Sequence, residues 1–342
     1  MNKYFSQKAF EILVPEVIST FQLRYRVLQM ISMSGPIGRR AIVDSLKMTE
    51  RFIRNEIENL KNQQLIEITS KGMICTSLGN EMLDQLKDVF QELSGLLQKE
   101  KLLAKVLGIQ KVIIVPGNLD EDANIKHLIG KEAASLLTEH AKKDDYVAIT
   151  GGSTVAALTH FLEPVKSLDS LTFIAARGSI GDELDFQANT LVSQFASKCH
   201  ANSKTLYLPE HLSQTAYETM MKEPIIKEII DLYDEVRIVI HGIGNAKEMA
   251  ERRQSNPEII SLLRDKQAVG EAFGYYFDEN GQIIHRINTI GIQLEQVKQS
   301  RNIIAVAGGA NKAKAIQAYF NIAAKHTVLI TDEGAANAIL NG

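Results

Sequence analysis

Cysteine is nearly absent from this chain of 342 residues, with Cys75 and Cys199 standing far apart. With no Cys-x-x-Cys pair and no Cys/His ligand spacing, neither a disulfide framework nor a zinc site is supported, and both thiols are expected to be small buried hydrophobes. Long apolar runs are missing as well. None approaches the roughly 20 residues needed to cross a bilayer, and Met1 to Phe10 lacks the apolar core of a signal peptide, so a cytoplasmic protein without a membrane partner is expected. There is no G-x-x-x-x-G-K-[ST] loop and no G-x-G-x-x-G opening the first strand-and-helix unit, which argues against nucleotide binding.

The length exceeds what one core usually holds, and the hydrophobic fraction of 45% is ample for two ordinary globular domains. A net charge of −3 hides an asymmetry. The first 76 residues carry 11 Lys plus Arg against 7 Asp plus Glu, and the remainder carries 27 against 34. A small basic module on an acidic body suits DNA binding under small-molecule control.

The basic module has helical periodicity from Val17 to Ser32, with Val17, Phe21, Tyr25, Leu28 and Ile31 on one face, broken by Ser34-Gly35-Pro36. A short helix follows from Arg39 to Leu46, with Ala41, Ile42 and Leu46 inward. Thr49 then caps a third helix from Glu50 to Asn62. Ile53, Ile57 and Leu60 recur at helical spacing and should face the core, which turns Arg51, Arg54, Asn55 and Glu58 outward. Arg grips guanine edges and Asn pairs with adenine, so Arg51, Arg54 and Asn55 are candidates to read bases, with Arg39 and Arg40 on phosphates. Two short strands around Thr69-Ser70-Lys71-Gly72 read as a wing with Lys71 at its tip. The alternative is a helical interaction domain with merely solvated arginines. The ordered series of helices, Arg-bearing helix and basic hairpin favours DNA.

Residues 1–80 are thus expected to form a winged helix-turn-helix domain, and 81–107 a connector. Met82, Leu86, Val89, Leu93 and Leu96 are spaced as in a dimer seam, although an amphipathic helix docked on the next domain fits equally well, and Gly95 interrupts the stripe. A homodimer or homotetramer would present paired recognition helices to a palindromic operator.

In residues 108–342 one pattern recurs: an apolar strand, a Gly-containing turn and a helix. Tyr146 to Ile149 runs into Thr150-Gly151-Gly152-Ser153-Thr154, Leu171 to Ala175 into Ala176-Arg177-Gly178-Ser179, and Val236 to Ile240 into His241-Gly242-Ile243-Gly244. Ile303 to Val306 runs into Ala307-Gly308-Gly309-Ala310-Asn311-Lys312, and Thr327 to Ile330 into Thr331-Asp332-Glu333-Gly334. Such units build an α/β fold of Rossmann type, an open parallel sheet that binds ligands beyond the carboxyl ends of its strands. The Thr150 to Thr154 turn aims amides and hydroxyls at one point before a helix, as a phosphate cradle does.

These turns, together with Glu271-Ala272-Phe273-Gly274-Tyr275-Tyr276-Phe277 and Met249-Ala250-Glu251-Arg252-Arg253 in the same order, resemble the sugar-binding regulators of the SorC/DeoR class across nearly the whole chain. The Gly-rich turns are shared by many α/β proteins, whereas the last two motifs are much more specific. The resemblance implies an effector domain similar to sugar-phosphate isomerases that acts as a sensor. Members of the glycolytic group of this class repress an operon of central glycolytic enzymes until fructose-1,6-bisphosphate loosens their hold on operator DNA.

Carried over by motif, the resemblance implies that Gly152, Ser153 and Thr154 hold one phosphate with Lys312, that Arg177 and Arg252 serve the rest of the ligand including a second phosphate, and that Glu271 and Gln187 meet sugar hydroxyls. Residue chemistry agrees, because Arg offers a planar fork for phosphate, Lys a mobile charge, and short hydroxyls with amides a rigid cup. No cofactor is implied. Blander readings stand beside these: Arg177 as a salt-bridge partner, Lys312 as a solvated charge, Gln187 as an exposed helix residue, and Arg253 in place of Arg252. Phe273 to Phe277 is expected to be core strand, and His241 a packed, hydrogen-bonded histidine.

The rival is a sugar-phosphate isomerase or deaminase, which needs a general base and a second proton-shuttling group. Gly242-Ile243-Gly244 is followed by Asn245-Ala246-Lys247, with no carboxylate or His in that place, although Asp332, Glu333 and Glu271 remain elsewhere. An assembled constellation is missing, so a sensor is expected.

Overall fold

The computed structural model describes residues 12–180, 183–210 and 212–342; Met1 to Phe10, read above for a signal peptide, lies outside them. The chain divides into two compact units, 1–99 and 100–342.

In the first unit α1 (Pro15–Ser34), α2 (Arg39–Leu46) and α3 (Glu50–Asn62) precede a hairpin of β1 (Ile66–Thr69) and β2 (Gly72–Cys75). Pro15 suits the first turn of α1, where its missing N–H costs nothing. Leu23, Val27, Leu28 and Ile31 are buried, but Val17, expected on the same face, is 50% exposed, and Ile18 takes the inward position. On α2 the inward residue is Ile42, whereas Ala41, also expected inside, faces outward. Thr49 caps α3 by accepting from the Phe52 amide at 3.4 Å. Ile53, Ile57 and Leu60 enter the core, and the one charged residue beside them, Glu56, is buried against Arg24 of α1 at 2.5 Å. The hairpin pairs Ile66 with Cys75 and Thr69 with Gly72, which leaves Lys71 exposed in the turn.

The connector expected over 81–107 as one amphipathic helix is instead divided among three helices: α4 (Ser77–Gln85), α5 (Lys87–Leu93) and α6 (Leu96–Leu107). Packing explains the breaks. Phe90 stacks on Tyr25 with ring centroids 4.2 Å apart, Gln22 donates to the Leu93 carbonyl at 2.8 Å, and the Tyr25 hydroxyl donates to the Leu83 carbonyl. α4 and α5 therefore wrap α1, and Gly95, at φ 73°, supplies the turn into α6. No continuous seam remains, because Leu93 and Leu96 are buried while Val89 is exposed.

The second unit is built on seven parallel strands: β3 (Lys111–Val115), β4 (Tyr146–Ile149), β5 (Thr172–Ala175), β6 (Asn202–Lys204), β7 (Val236–Gly242), β12 (Asn302–Val306) and β13 (Thr327–Asp332). Their order is β3-β13-β12-β7-β4-β5-β6. The central strands are apolar almost throughout because helices cover both faces. β3 and β6 escaped the sequence reading. The chain runs outward in opposite directions from β4 and β7, so their carboxyl ends form a topological switch point.

A second, antiparallel sheet follows β7: β8 (Gly244–Asn245), β9 (Gly270–Ala272), β10 (Tyr275–Phe277) and β11 (Ile283–Arg286). Ala246, Ala250, Leu263, Tyr276 and Ile287 form its core, and Phe273 to Phe277, expected to be core strand, are all buried, although only Tyr275 to Phe277 are strand and Phe273 with Gly274 makes the turn. Phe273 and Gly274 both have positive φ, as a two-residue hairpin requires. Because β8 starts two residues after β7 ends, Gly244 pairs across the strands with Glu271 and brings that carboxylate to the switch point. Cys199 is buried, but Cys75 is only half-buried, contrary to expectation.

Candidate functional site

A crevice of about 120 Å³ opens at the β4/β7 switch point, and its lining includes Gly152, Ser153, Thr154, Arg177, Gln187, Arg252, Glu271 and Lys312. The turn after β4 shapes its floor. A methyl group on Gly151 would come within 2.5 Å of the Phe186 carbonyl, and the Gly152 amide donates to that carbonyl at 2.9 Å. Gly152, at φ 121°, begins the helix Ser153–Ala156, and a methyl group there would meet nothing within 4 Å, so this face is open. Thr154 is buried and Ser153 exposed, and neither hydroxyl is hydrogen-bonded among the described residues. Changing Gly151 to Ala is expected to push the Phe186 carbonyl away, lower the melting temperature by an amount equivalent to about 1–3 kcal/mol and distort the crevice. Unchanged melting and ligand binding would mean the loop moves freely.

Lys312 closes a short 3-10 turn after β12. It is half-buried and, among the described residues, has no ion pair or hydrogen bond. Burial lowers its pKa, only partly offset by the more distant carboxylates of Glu248, Asp120 and Asp332. Arg252, at the end of the helix Ala246–Arg252, is paired with the exposed Glu183. Three cationic side chains, Arg177, Arg252 and Lys312, thus line the crevice, and among the described residues Lys312 is the one without a paired carboxylate.

A buried ion network reaches the crevice through Arg177 and Glu271, with Arg253 and Glu210 behind. Arg177 pairs with Glu210 and, at 3.2 Å, with Glu271. Arg253 pairs with Glu210 at 2.7 Å and with Glu271 at 3.1 Å, and donates to the Tyr276 hydroxyl at 2.9 Å. Burial would raise the Glu271 carboxyl, but Arg253 and Arg177, together with the Gly274 amide at 2.6 Å, outweigh it and hold the group below its ordinary range. Two arginines facing two carboxylates leave no net charge, which is how four such groups tolerate burial.

Gln187 is not an exposed helix residue. It is buried at the start of the helix Ala188–Cys199, where its amide accepts from the Ile180 N–H at 2.7 Å and donates to the carbonyls of Ile180 and Glu183. His241 is the packed histidine expected, on β7: its Nδ1 meets the Gly242 carbonyl and its Nε2 the Tyr319 hydroxyl, both at 3.0 Å, and burial pushes its pKa to about 4. A carbonyl only accepts, so Nδ1 carries the proton. Asp332 caps the last helix and takes the amides of Ala335, Leu119 and Gly309, while Glu333 takes the Gly117 amide. These carboxylates fasten loops and are not among the residues lining the crevice.

Two family models together span residues 20–341. Residues 20–90 match the CggR N-terminal DNA binding domain, and residues 91–341 match a sugar-binding domain. The central glycolytic genes regulator of Priestia megaterium is 40% identical over 329 residues, 96% of either chain. This chain belongs to the central glycolytic genes regulator family. The regulator is also 38% identical to the Bacillus subtilis member over 96% of either chain. Among solved structures, a SorC family transcriptional regulator from Enterococcus faecalis shares 37% identity at a TM-score of 0.67, covering 71% of this chain and 99% of that one. The full-length sorbitol operon regulator SorC from Klebsiella pneumoniae matches in fold over 96% of this chain and 99% of its own, with a TM-score of 0.66 at 17% identity.

The regulator therefore combines a DNA-binding with a sugar-binding domain and is a transcription regulator, and the isomerase or deaminase alternative falls away. On its DNA-binding unit Arg51, Arg54 and Asn55 lie exposed on α3, Arg40 is exposed on α2, and Lys71 tips the hairpin. Glu50 sits among them, 3.1 Å from Arg39 and 3.8 Å from Arg54. Sequence reasoning missed Glu210, which lies in an irregular segment without periodicity, and left Arg252 and Arg253 unresolved. The structure separates them, with Arg252 lining the crevice and Arg253 in the ion network.

Proposed function

We propose that the regulator is a repressor of glycolytic genes whose hold on operator DNA is released by a phosphorylated sugar, fructose-1,6-bisphosphate being the first candidate. The observation that carries this reading is Lys312, a half-buried ammonium without a partner among the described residues, in the same crevice as the unbonded hydroxyls of Ser153 and Thr154 and the open face of Gly152. Desolvating a charge without a partner is costly, and a bound phosphate supplies the missing one. One phosphate sits in the cup formed by Gly152, Ser153, Thr154 and Lys312. Arg252 exchanges its exposed partner Glu183 for the second phosphate. Glu271 and Gln187 meet the sugar hydroxyls between, with Arg177 behind Glu271.

On DNA, Arg51, Arg54 and Asn55 read bases in the major groove, while Arg39, Arg40 and Lys71 contact phosphates, in a homodimer or homotetramer on a palindromic operator. Release requires that sugar phosphate and DNA favour different states of the protein, with reciprocal effects on affinity. In a titration of fructose-1,6-bisphosphate into full-length protein on labelled glycolytic operator DNA at fixed salt, the bisphosphate should weaken DNA affinity roughly 5- to 150-fold, the usual span of such coupling, and fructose-6-phosphate much less. Tight DNA binding that neither sugar perturbs would discard this effector, and no DNA binding would discard the repressor.

A further inference from the structure

Glu271 is almost wholly enclosed, yet its two oxygens are not equivalent. The Gly274 amide and the Arg177 guanidinium donate to Oε1, and the nearest Arg253 nitrogen also faces Oε1. Among the described residues no hydrogen bond is donated to Oε2. A methyl group built on Gly244, across the strands from Glu271 and itself in the crevice wall, would lie 3.6 Å from Oε2. One oxygen is saturated from behind, and the other is presented beside Gly244.

Arg253 does not line this crevice. Its guanidinium is held by both oxygens of Glu210 and by the Tyr276 hydroxyl, so its direction is fixed from three sides. We infer that Arg253 and Glu210 are positioning residues for ligand selectivity: they clamp Glu271 as an ionised carboxylate with Oε2 free, so that the crevice accepts a hydrogen-bond donor beside Gly244 and turns a phosphate away from that point. An ionised carboxylate only accepts hydrogen bonds, so the ligand atom opposite must carry a proton, as a hydroxyl does. A phosphate there would face a like charge in a poorly solvated place, and is driven toward Lys312 or Arg252. The pair thereby sets which way round a sugar phosphate lies without touching it.

This inference rests on the sugar-phosphate reading of the crevice, and its test separates the two. The charged and titratable groups around Glu271 are Arg177 and Arg253, with Glu210 behind them, His241 and Tyr276. His241 is pushed to about 4 and Tyr276 is raised above its ordinary value, so neither titrates between pH 6 and 8. Removing Arg253 takes away the larger of the two coulombic effects that oppose burial, so the Glu271 pKa rises toward this window.

The experiment is calorimetric titration of fructose-1,6-bisphosphate into full-length wild type, R253M, R253K and the double variant E210Q/R253M at pH 6, 7 and 8. The double variant removes one cation and one anion together, which keeps the remaining Arg177 and Glu271 balanced if R253M alone fails to fold. Taking the ratio of variant to wild-type Kd at each pH cancels titration of the ligand's own phosphates near pH 6. The expected ratio is roughly tenfold larger at pH 6 than at pH 8 for R253M, one decade per pKa unit gained, and smaller in the same direction for the double variant, where loss of the Glu210 charge offsets part of the rise, with R253K between R253M and wild type. A ratio independent of pH, in variants that melt as wild type does, overturns the positioning role while leaving the ligand reading intact. A wild type that binds no bisphosphate overturns the reading on which both rest.

Discussion

Replacing Lys312 by methionine should weaken binding of fructose-1,6-bisphosphate by about 10- to 100-fold, the worth of one hydrogen bond to a charged group, and leave repression on at sugar concentrations that release the wild type. The reason is the local imbalance. Arg177, Arg252 and Arg253 each face a carboxylate, whereas Lys312 faces none within ion-pair distance among the described residues. A ligand phosphate therefore gains more from Lys312 than from an arginine that must first give up its partner.

The same imbalance predicts a second readout of opposite sign. Burial lowers the folded-state pKa of Lys312, so the unfolded chain holds that proton more tightly, and the charged lysine costs stability at neutral pH. K312M should thus melt at the wild-type temperature or above it in the absence of ligand, while losing most of the stabilisation that ligand confers on the wild type. That cost shrinks as pH rises through the folded-state pKa, so any gain in melting temperature should fade toward alkaline pH. Calorimetry and a thermal melt, each with and without bisphosphate, check both statements. Wild-type affinity in K312M would remove Lys312 from the site, and a lowered melting temperature without ligand would show that the ammonium has a stabilising partner.

Replacing Arg54 by alanine should abolish recognition of the operator while leaving the sugar site untouched. Arg54 is exposed on the turn of α3 after Thr49, and its nearest carboxylate, Glu50, is 3.8 Å away on the same helix. An exposed pair of that kind adds little stability, so the fold should survive the change. On DNA, an arginine gripping a guanine edge contributes about 1–3 kcal/mol of discrimination, and each recognition helix that engages multiplies the effect. Operator affinity in R54A should therefore fall toward the non-specific level, whereas K71A should weaken all sequences alike and reduce the salt slope by about one. Anisotropy titrations on operator and scrambled duplexes at several salt concentrations separate these outcomes. Retained preference for the operator in R54A would mean that another face of the unit reads the bases.

Much of this was legible in the sequence because it depends on neighbours in the chain. The spacing of Ile53, Ile57 and Leu60 and the cap at Thr49 specify α3, and the alternation of apolar runs with Gly-rich turns specifies the βα units, since hydrophobic period and turn chemistry act over a few residues. The connector shows the limit. Its apolar stripe continues past Leu86, but contacts of Phe90 and Leu93 with α1, from about seventy residues earlier in the chain, bend it into separate helices.

Residue types suited to phosphate could be named from the motifs, yet only the tertiary structure decided how they are partnered. Arg177 and Glu271 are 94 positions apart, and Arg253 and Glu210 are 43 apart, so no local pattern reveals that they share one buried network, two of whose members line the crevice beside Lys312 and Arg252. Arg252 and Arg253 carry the same chemistry at adjacent positions, and the roughly 100° turn between successive helical residues sends one to the crevice and the other to the buried carboxylates. Periodicity fixes which elements form; charge pairing at a distance is settled by how those elements pack, because burial and partner together set what each ionised group can do.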